Sequence, residues 1–143
     1  MIPSKPVILL AEDDDNDVFF MRRALEKSQF DFPMQVVTDG QHAIDYLGGE
    51  GKFSNREEYP LPSVILLDLK MPFRDGFEVL EWIRTQSSLD AVPVAVLTSS
   101  AEERDRRRAK ELGASAYFVK PPRPETIAEI VQLIEQGREK AIS

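Results

Sequence analysis

Four apolar runs in this chain end in side chains that can do chemistry, and helical segments separate them. Val7-Ile8-Leu9-Leu10-Ala11 leads into Glu12-Asp13-Asp14, and Val64-Ile65-Leu66-Leu67 leads into Asp68. Val94-Ala95-Val96-Leu97 leads into Thr98-Ser99-Ser100, and Ala116-Tyr117-Phe118-Val119 leads into Lys120-Pro121. A shorter strand, Met34 to Thr38, is closed by the turn signal Asp39-Gly40. Helical periodicity marks 16–28 (Val18, Met21, Leu25), 41–47 (Ala43, Ile44, Leu47), 77–86 (Leu80, Ile83), the charged stretch 102–112, and 124–136 (Ile127, Ile130, Ile134). Strand then helix, repeated five times, predicts a parallel sheet with helices on both faces and right-handed crossovers. The near-continuous apolar character of the first, third and fourth strands fits burial on both sides. Ligands of such sheets bind outside the carboxyl ends of the strands. The four runs therefore deliver carboxylates, a hydroxyl and an ammonium to one crevice.

A chain of 143 residues, 42% hydrophobic and 30% charged, suits one globular domain with a real core. We expect a single domain over 1–143, with its core over about 6–136 and a short tail at 137–143. The net charge of -7 disfavours non-specific contact with nucleic acid or anionic membrane. There is no cysteine, hence no disulfide and no thiolate metal site. The apolar run after Met1 to Lys5 is too short for a signal-peptide core, and no run approaches a membrane span. The expectation is a cytoplasmic protein whose tail holds no DNA-binding module. One segment, 48–62, is a long Gly- and Pro-bearing loop, read either as a surface insertion or as a partner-binding element.

Glu12, Asp13 and Asp68 form an oxygen-only set suited to Mg²⁺, which keeps several waters and favours a phosphate co-ligand. Clustered carboxylates repel one another, and a cation relieves them. Asp68 is then a nucleophile toward phosphorus, since carboxylates form aspartyl phosphates. Thr98 can donate a hydrogen bond to a phosphoryl oxygen, and Lys120 can neutralise another. Each residue also has a plainer role. One of Asp14 to Asp17 caps the first helix, Asp68 forms a turn, and Lys120 is solvated. Ser100 is expected to cap the fourth helix, with Glu102 or Glu103 closing a capping box. Only the four strand ends together favour the chemical reading.

These residues carry a resemblance. The chain resembles a response-regulator receiver domain of two-component signalling over nearly its whole length. The match runs through Ile8-Leu9-Leu10-Ala11-Glu12-Asp13, Leu66-Leu67-Asp68-Leu69-Lys70-Met71-Pro72 with Asp75-Gly76, Val96-Leu97-Thr98-Ser99, and Gly113-Ala114 with Tyr117-Phe118-Val119-Lys120-Pro121. The resemblance implies a flavodoxin-like, doubly wound (βα)5 fold with strand order 2-1-3-4-5. It implies Asp68 as phospho-acceptor for a histidine kinase or histidine phosphotransfer protein. It implies Mg²⁺ (or Mn²⁺) held by Glu12, Asp13, Asp68 and the carbonyl of Lys70, and phosphoryl contacts from Thr98 and Lys120. Tyr117 is the implied switch partner of Thr98, the Lys120–Pro121 bond is implied to be cis, and Lys70 and Ser100 are implied tuning positions. Pro122 departs from the usual single proline. The fourth and fifth helices are the implied surface for a downstream protein or a homodimer, with no direct contact to DNA or membrane. The loop at 48–62 narrows the resemblance toward the small receivers that serve phytochrome-type kinases.

Other readings fail on particular residues. A calcium loop starting at Asp13 needs glycine sixth and glutamate twelfth, where Val18 and Ala24 stand. A haloacid-dehalogenase-type phosphatase needs a second aspartate at 70, which is Lys. A flavodoxin-like electron carrier needs a hydroxyl- and glycine-rich phosphate loop, whereas 12–15 is wholly acidic. His42, the single histidine, reads as a surface residue at a helix start, and Trp82 as partly covered core. Arg104, Arg106, Arg107 and Arg108 read as a solvated face with helix-spaced acidic partners, or as a partner surface.

Overall fold

The computed structural model describes the backbone over residues 6–142 and side chains over 6–137. The expectation for Met1 to Lys5 lies outside the described residues. Five strands, β1 (Ile8–Ala11), β2 (Met34–Val37), β3 (Val64–Leu67), β4 (Val94–Thr98) and β5 (Ala116–Val119), alternate with five helices. These are α1 (Asp15–Lys27), α2 (Gly40–Gly48), α3 (Gly76–Arg84), α4 (Glu103–Glu111) and α5 (Pro124–Ile142). All pairings are parallel, in the order β2-β1-β3-β4-β5, as expected. Residues 137–142, expected as a tail, instead continue α5. Among the described residues no helix is long and apolar enough to cross a membrane.

The pleat explains why the central strands read as unbroken apolar runs. Successive side chains point to opposite faces, and both faces are covered. Leu9, Ala11, Ile65, Leu67, Val94 and Val96 face one core, with α2 and α3. Ile8, Leu10, Val64, Leu66, Ala95 and Leu97 face the other, with α1 and α5. Each fully buried Leu or Ile contributes about 1.5–3 kcal/mol relative to exposure. This double burial anchors β1, β3 and β4 and fixes where their carboxyl ends lie.

The helix ends follow local chemistry. Asp14 caps α1 by accepting from the amides of Asn16 and Asp17, at 2.8 and 3.3 Å. Asp39 caps α2 through the His42 amide, and Asp75 forms a capping box with Glu78 on α3. The start of α2 requires glycine for room. A Cβ on Gly40 would lie 1.9 Å from the carbonyl oxygen of Arg74.

The insertion at 48–62 folds onto the domain. Phe53 is buried in a 3-10 turn (Gly51–Ser54). Its ring packs 5.1 Å from Tyr46 and 5.0 Å from Tyr59, and the Tyr46 hydroxyl donates to the Pro60 carbonyl at 2.7 Å. Burial pushes the Tyr46 phenol up to about 12. Arg56 donates to the carbonyls of Tyr46 (2.7 Å), Leu47 (3.0 Å) and Tyr59 (3.2 Å). It thereby ties two carbonyls of the last turn of α2 to the loop, the Tyr46 carbonyl also accepting from the Gly49 amide at 3.2 Å. Charged hydrogen bonds of this kind are worth about 1.5–3 kcal/mol, so Arg56→Ala is expected to lower the urea-unfolding free energy by that amount. An unchanged midpoint would show the loop to be held by its aromatic packing alone.

Candidate functional site

Parallel pairing brings the strand ends level. Ala11 pairs with Leu67, so the next residues, Glu12 and Asp68, leave the sheet side by side. Both are buried, at 2% and 6% exposure, whereas Asp13 is exposed. Carboxylate oxygens of Glu12, Asp13 and Asp68 lie within 4.8 Å of one another. Such an all-oxygen set is the kind that hard divalent cations take. One Asp68 oxygen accepts from the amide of Lys70 at 3.4 Å. The Lys70 side chain itself is exposed.

Lys120 enters from the end of β5. Its ammonium contacts Glu12, Asp17 at 2.7 Å and the second Asp68 oxygen at 3.2 Å. Burial alone would lower the lysine pKa, but the hydrogen bonds it donates to Asp17 and Glu12 and the charge on Asp68 outweigh it and hold the group above its ordinary value. Burial pushes the Glu12 carboxyl up to about 7; Lys120 opposes this rise, and the charge on Asp68 adds to it. The Lys120–Pro121 peptide is cis.

Thr98 is fully buried at the end of β4. Its carbonyl accepts from the Lys120 amide at 2.8 Å, and its hydroxyl oxygen accepts from the Ser100 amide at 3.4 Å. Tyr117, half-buried on β5, donates its hydroxyl to the Ser100 carbonyl at 2.9 Å. Burial raises its phenol pKa, the Ser100 hydrogen bond working against this. The threonine and the tyrosine thus meet at one short loop between β4 and α4.

Ser100 departs from its expected capping role. The residue before α4 is Glu102, which makes no side-chain cap. The Ser100 hydroxyl donates to Asp105 at 2.6 Å and accepts from the Glu102 amide at 3.3 Å, bracing the loop from within. The arginines of α4 also depart from simple helix-spaced pairing. Arg106 lies 4.7 Å over the Tyr117 ring, and Arg108 lies 4.2 Å over the Phe77 ring and 4.0 Å from Glu81 on α3. Cationic guanidinium groups favour aromatic faces. His42 is exposed and pairs with Asp39 at 2.9 Å, away from the carboxylate cluster. Trp82 is half-buried against the core.

Sequence reasoning read Asp17 only as a cap candidate and Asp105 and Arg106 only as charges of the fourth helix; their contacts to Lys120, Ser100 and Tyr117 come from the tertiary structure. Asp17 had a detectable signal: it stands in the first turn of α1, directly after the acidic run that closes β1. An open cleft of about 670 Å³ leads to the cluster past Asp13, Lys70, Met71, Ser100 and Arg104.

Known proteins share this sequence pattern and fold. Residues 8–132 match the model of the response regulator receiver domain. The response regulator Rcp1 of Synechocystis sp. is 36% identical over 129 residues, covering 90% of this chain and 86% of its own. Its Mn²⁺-bound crystal form superposes with a TM-score of 0.73, covering 91% of each chain. The bacteriophytochrome response regulator AtBRR is 41% identical, with a TM-score of 0.81 over 93% of this chain and 94% of its own. The phosphorylated cyanobacterial phytochrome response regulator RcpA is 34% identical, with a TM-score of 0.77 over 93% of both chains. A domain of this kind works opposite a histidine kinase. With that match spanning the whole sheet and every strand end, the chain belongs to the response regulator receiver domain family, and it is a phospho-acceptor module of two-component signalling, not a turnover enzyme.

Proposed function

We propose that Asp68 is the phospho-acceptor of a cytoplasmic signalling switch, taking its phosphoryl group from a histidine kinase or a histidine phosphotransfer protein. The observation that carries this reading is a buried carboxylate between a lysine ammonium and two further carboxylates, one of which, Asp13, lines an open cleft. An Asp68 oxygen attacks phosphorus, the bond from phosphorus to the donor nitrogen breaks, and the electron pair leaves with the donor. Lys120 neutralises negative charge on the transferred group, and the Thr98 hydroxyl donates to one of its oxygens.

The donor set fits Mg²⁺ or Mn²⁺. Its members are all oxygens, and three carboxylates lying within 4.8 Å of one another share a single lysine ammonium. Glu12, Asp13, Asp68 and the Lys70 carbonyl would hold the ion. Bound there, it would supply charge neutralisation to the phosphoryl oxygens. The Mn²⁺-bound form of Rcp1 and the phosphorylated form of RcpA support both parts of this reading. The test is incubation with Mg²⁺ and acetyl phosphate. Mass spectrometry is expected to find one acid-labile phosphoryl group on Asp68, absent when EDTA removes the metal.

The Thr98–Ser100–Tyr117 contacts carry the signal outward. As Thr98 closes on the phosphoryl group it draws the loop that Tyr117 holds through the Ser100 carbonyl. The face built by α4, β5 and α5 then changes for a downstream protein or a second copy of the chain. Lys70 and Ser100 flank the route by which water reaches the acyl phosphate. Because the Lys70 ammonium is exposed and free to swing, Lys70→Ala is expected to speed phosphate release about threefold, the scale of a partly screened ion pair. An unchanged rate would leave Lys70 with its carbonyl alone.

A further inference from the structure

Lys120 makes one contact that phosphoryl transfer leaves unused. An ammonium has three N–H donors, and three carboxylates surround this one: Glu12, Asp17 and Asp68. The Asp17 contact, at 2.7 Å, is shorter than the Asp68 contact at 3.2 Å. Asp17 lies outside the trio that could share a metal ion. It does not cap α1 either, since Asp14 does so. Across a separation of 103 residues, no local helix preference accounts for the pairing. The Asp17 side chain is 30% exposed against 8% for Asp68, so water can replace the ammonium at Asp17 far more cheaply than at Asp68.

We propose that Asp17 competes with the phosphoryl group for Lys120 and thereby sets how tightly the receiver holds its charged state. The inference rests on Asp68 being the acceptor. Before transfer, the ammonium is shared between the rim and the crevice. Once Asp68 is phosphorylated, its bonded oxygen loses charge while the phosphoryl oxygens bring more, and the ammonium turns toward them. Asp17 retains part of that charge at the rim. Its own negative charge also opposes the arrival of a second anion nearby. Asp17→Asn keeps the shape and an acceptor oxygen but removes the competing charge; Asp17→Glu restores that charge.

The probe is beryllofluoride, an anion that occupies the phosphoryl position without a covalent bond, titrated by calorimetry at saturating Mg²⁺. Asp17→Asn is expected to bind it about three- to tenfold more tightly, as removal of one partly screened charge implies. Asp17→Glu is expected to stay within about twofold of wild type, because the like charge is restored. A structural lesion would weaken binding, so a gain separates the competing role from a packing one. Unchanged or weaker binding by Asp17→Asn overturns the inference. So does an equal gain in a Lys120→Met background, which would show Asp17 acting without the lysine. A wild-type chain that binds no beryllofluoride overturns the acceptor reading itself, and this inference with it.

Discussion

An Asp68→Asn chain is expected to take up no phosphoryl group from acetyl phosphate and Mg²⁺, a loss on the order of a hundredfold or more in labelling rate, since only the carboxylate is a nucleophile toward phosphorus. The amide oxygen carries no full charge to attack with, and the neutral side chain draws Lys120 and a divalent cation less strongly. The substitution is nearly isosteric, so the sheet should keep its packing. It also removes one carboxylate from a crowded cluster, so the unfolding temperature should hold or rise. Equal labelling of wild type and Asp68→Asn would show that another residue is the acceptor. Loss of labelling together with loss of the folded circular dichroism signal would attribute the effect to collapse of the fold. The expected pattern is a folded, unlabelled chain.

The second large effect belongs to a residue with no side chain. Gly76 opens α3, and a Cβ there would lie 2.4 Å from the carbonyl oxygen of Asp68 and 2.7 Å from the Cα of Leu69. Both neighbours are backbone, so no flexible side chain can swing aside. Gly76→Ala must therefore push α3 away from the loop after β3, or push Asp68 itself. Overpacking of this kind costs about 1–3 kcal/mol. Because the displaced atoms belong to Asp68, labelling should fall as well, and it should fall in molecules that remain folded. Urea unfolding and acetyl phosphate labelling, measured on one preparation, separate the two effects. A Gly76→Ala chain with wild-type stability and labelling would mean that the contact relaxes without reaching the site.

Much of the fold was legible because parallel α/β architecture writes itself into short-range patterns. Apolar runs of four or five residues marked β1, β3 and β4, since strands buried on both faces cannot alternate. Their reactive terminal residues marked the crevice, since the sheet sets all carboxyl ends at one level. The loop at 48–62 was harder to read. Its polar composition hid Phe53 and Tyr59, which pack on Tyr46 from another element. Nothing local marks Arg56, whose three carbonyl partners lie in α2 and in the loop itself.

The run from Glu12 to Asp17 shows where the boundary lies. Sequence alone determined that carboxylates would crowd the end of β1, and that one of them would cap α1. Both follow from local backbone geometry, which acts over three or four residues. Only the tertiary structure decided which carboxylate does what. Asp14 takes the cap, Glu12 turns inward, Asp13 stays at the rim, and Asp17 reaches Lys120. Likewise Ser100 braces its loop through Asp105, and Arg106 covers Tyr117. The physical reason is that chemically equivalent side chains compete for one partner. A few ångströms decide that competition, and those distances exist only after the β1 and β5 ends have been brought together across the sheet.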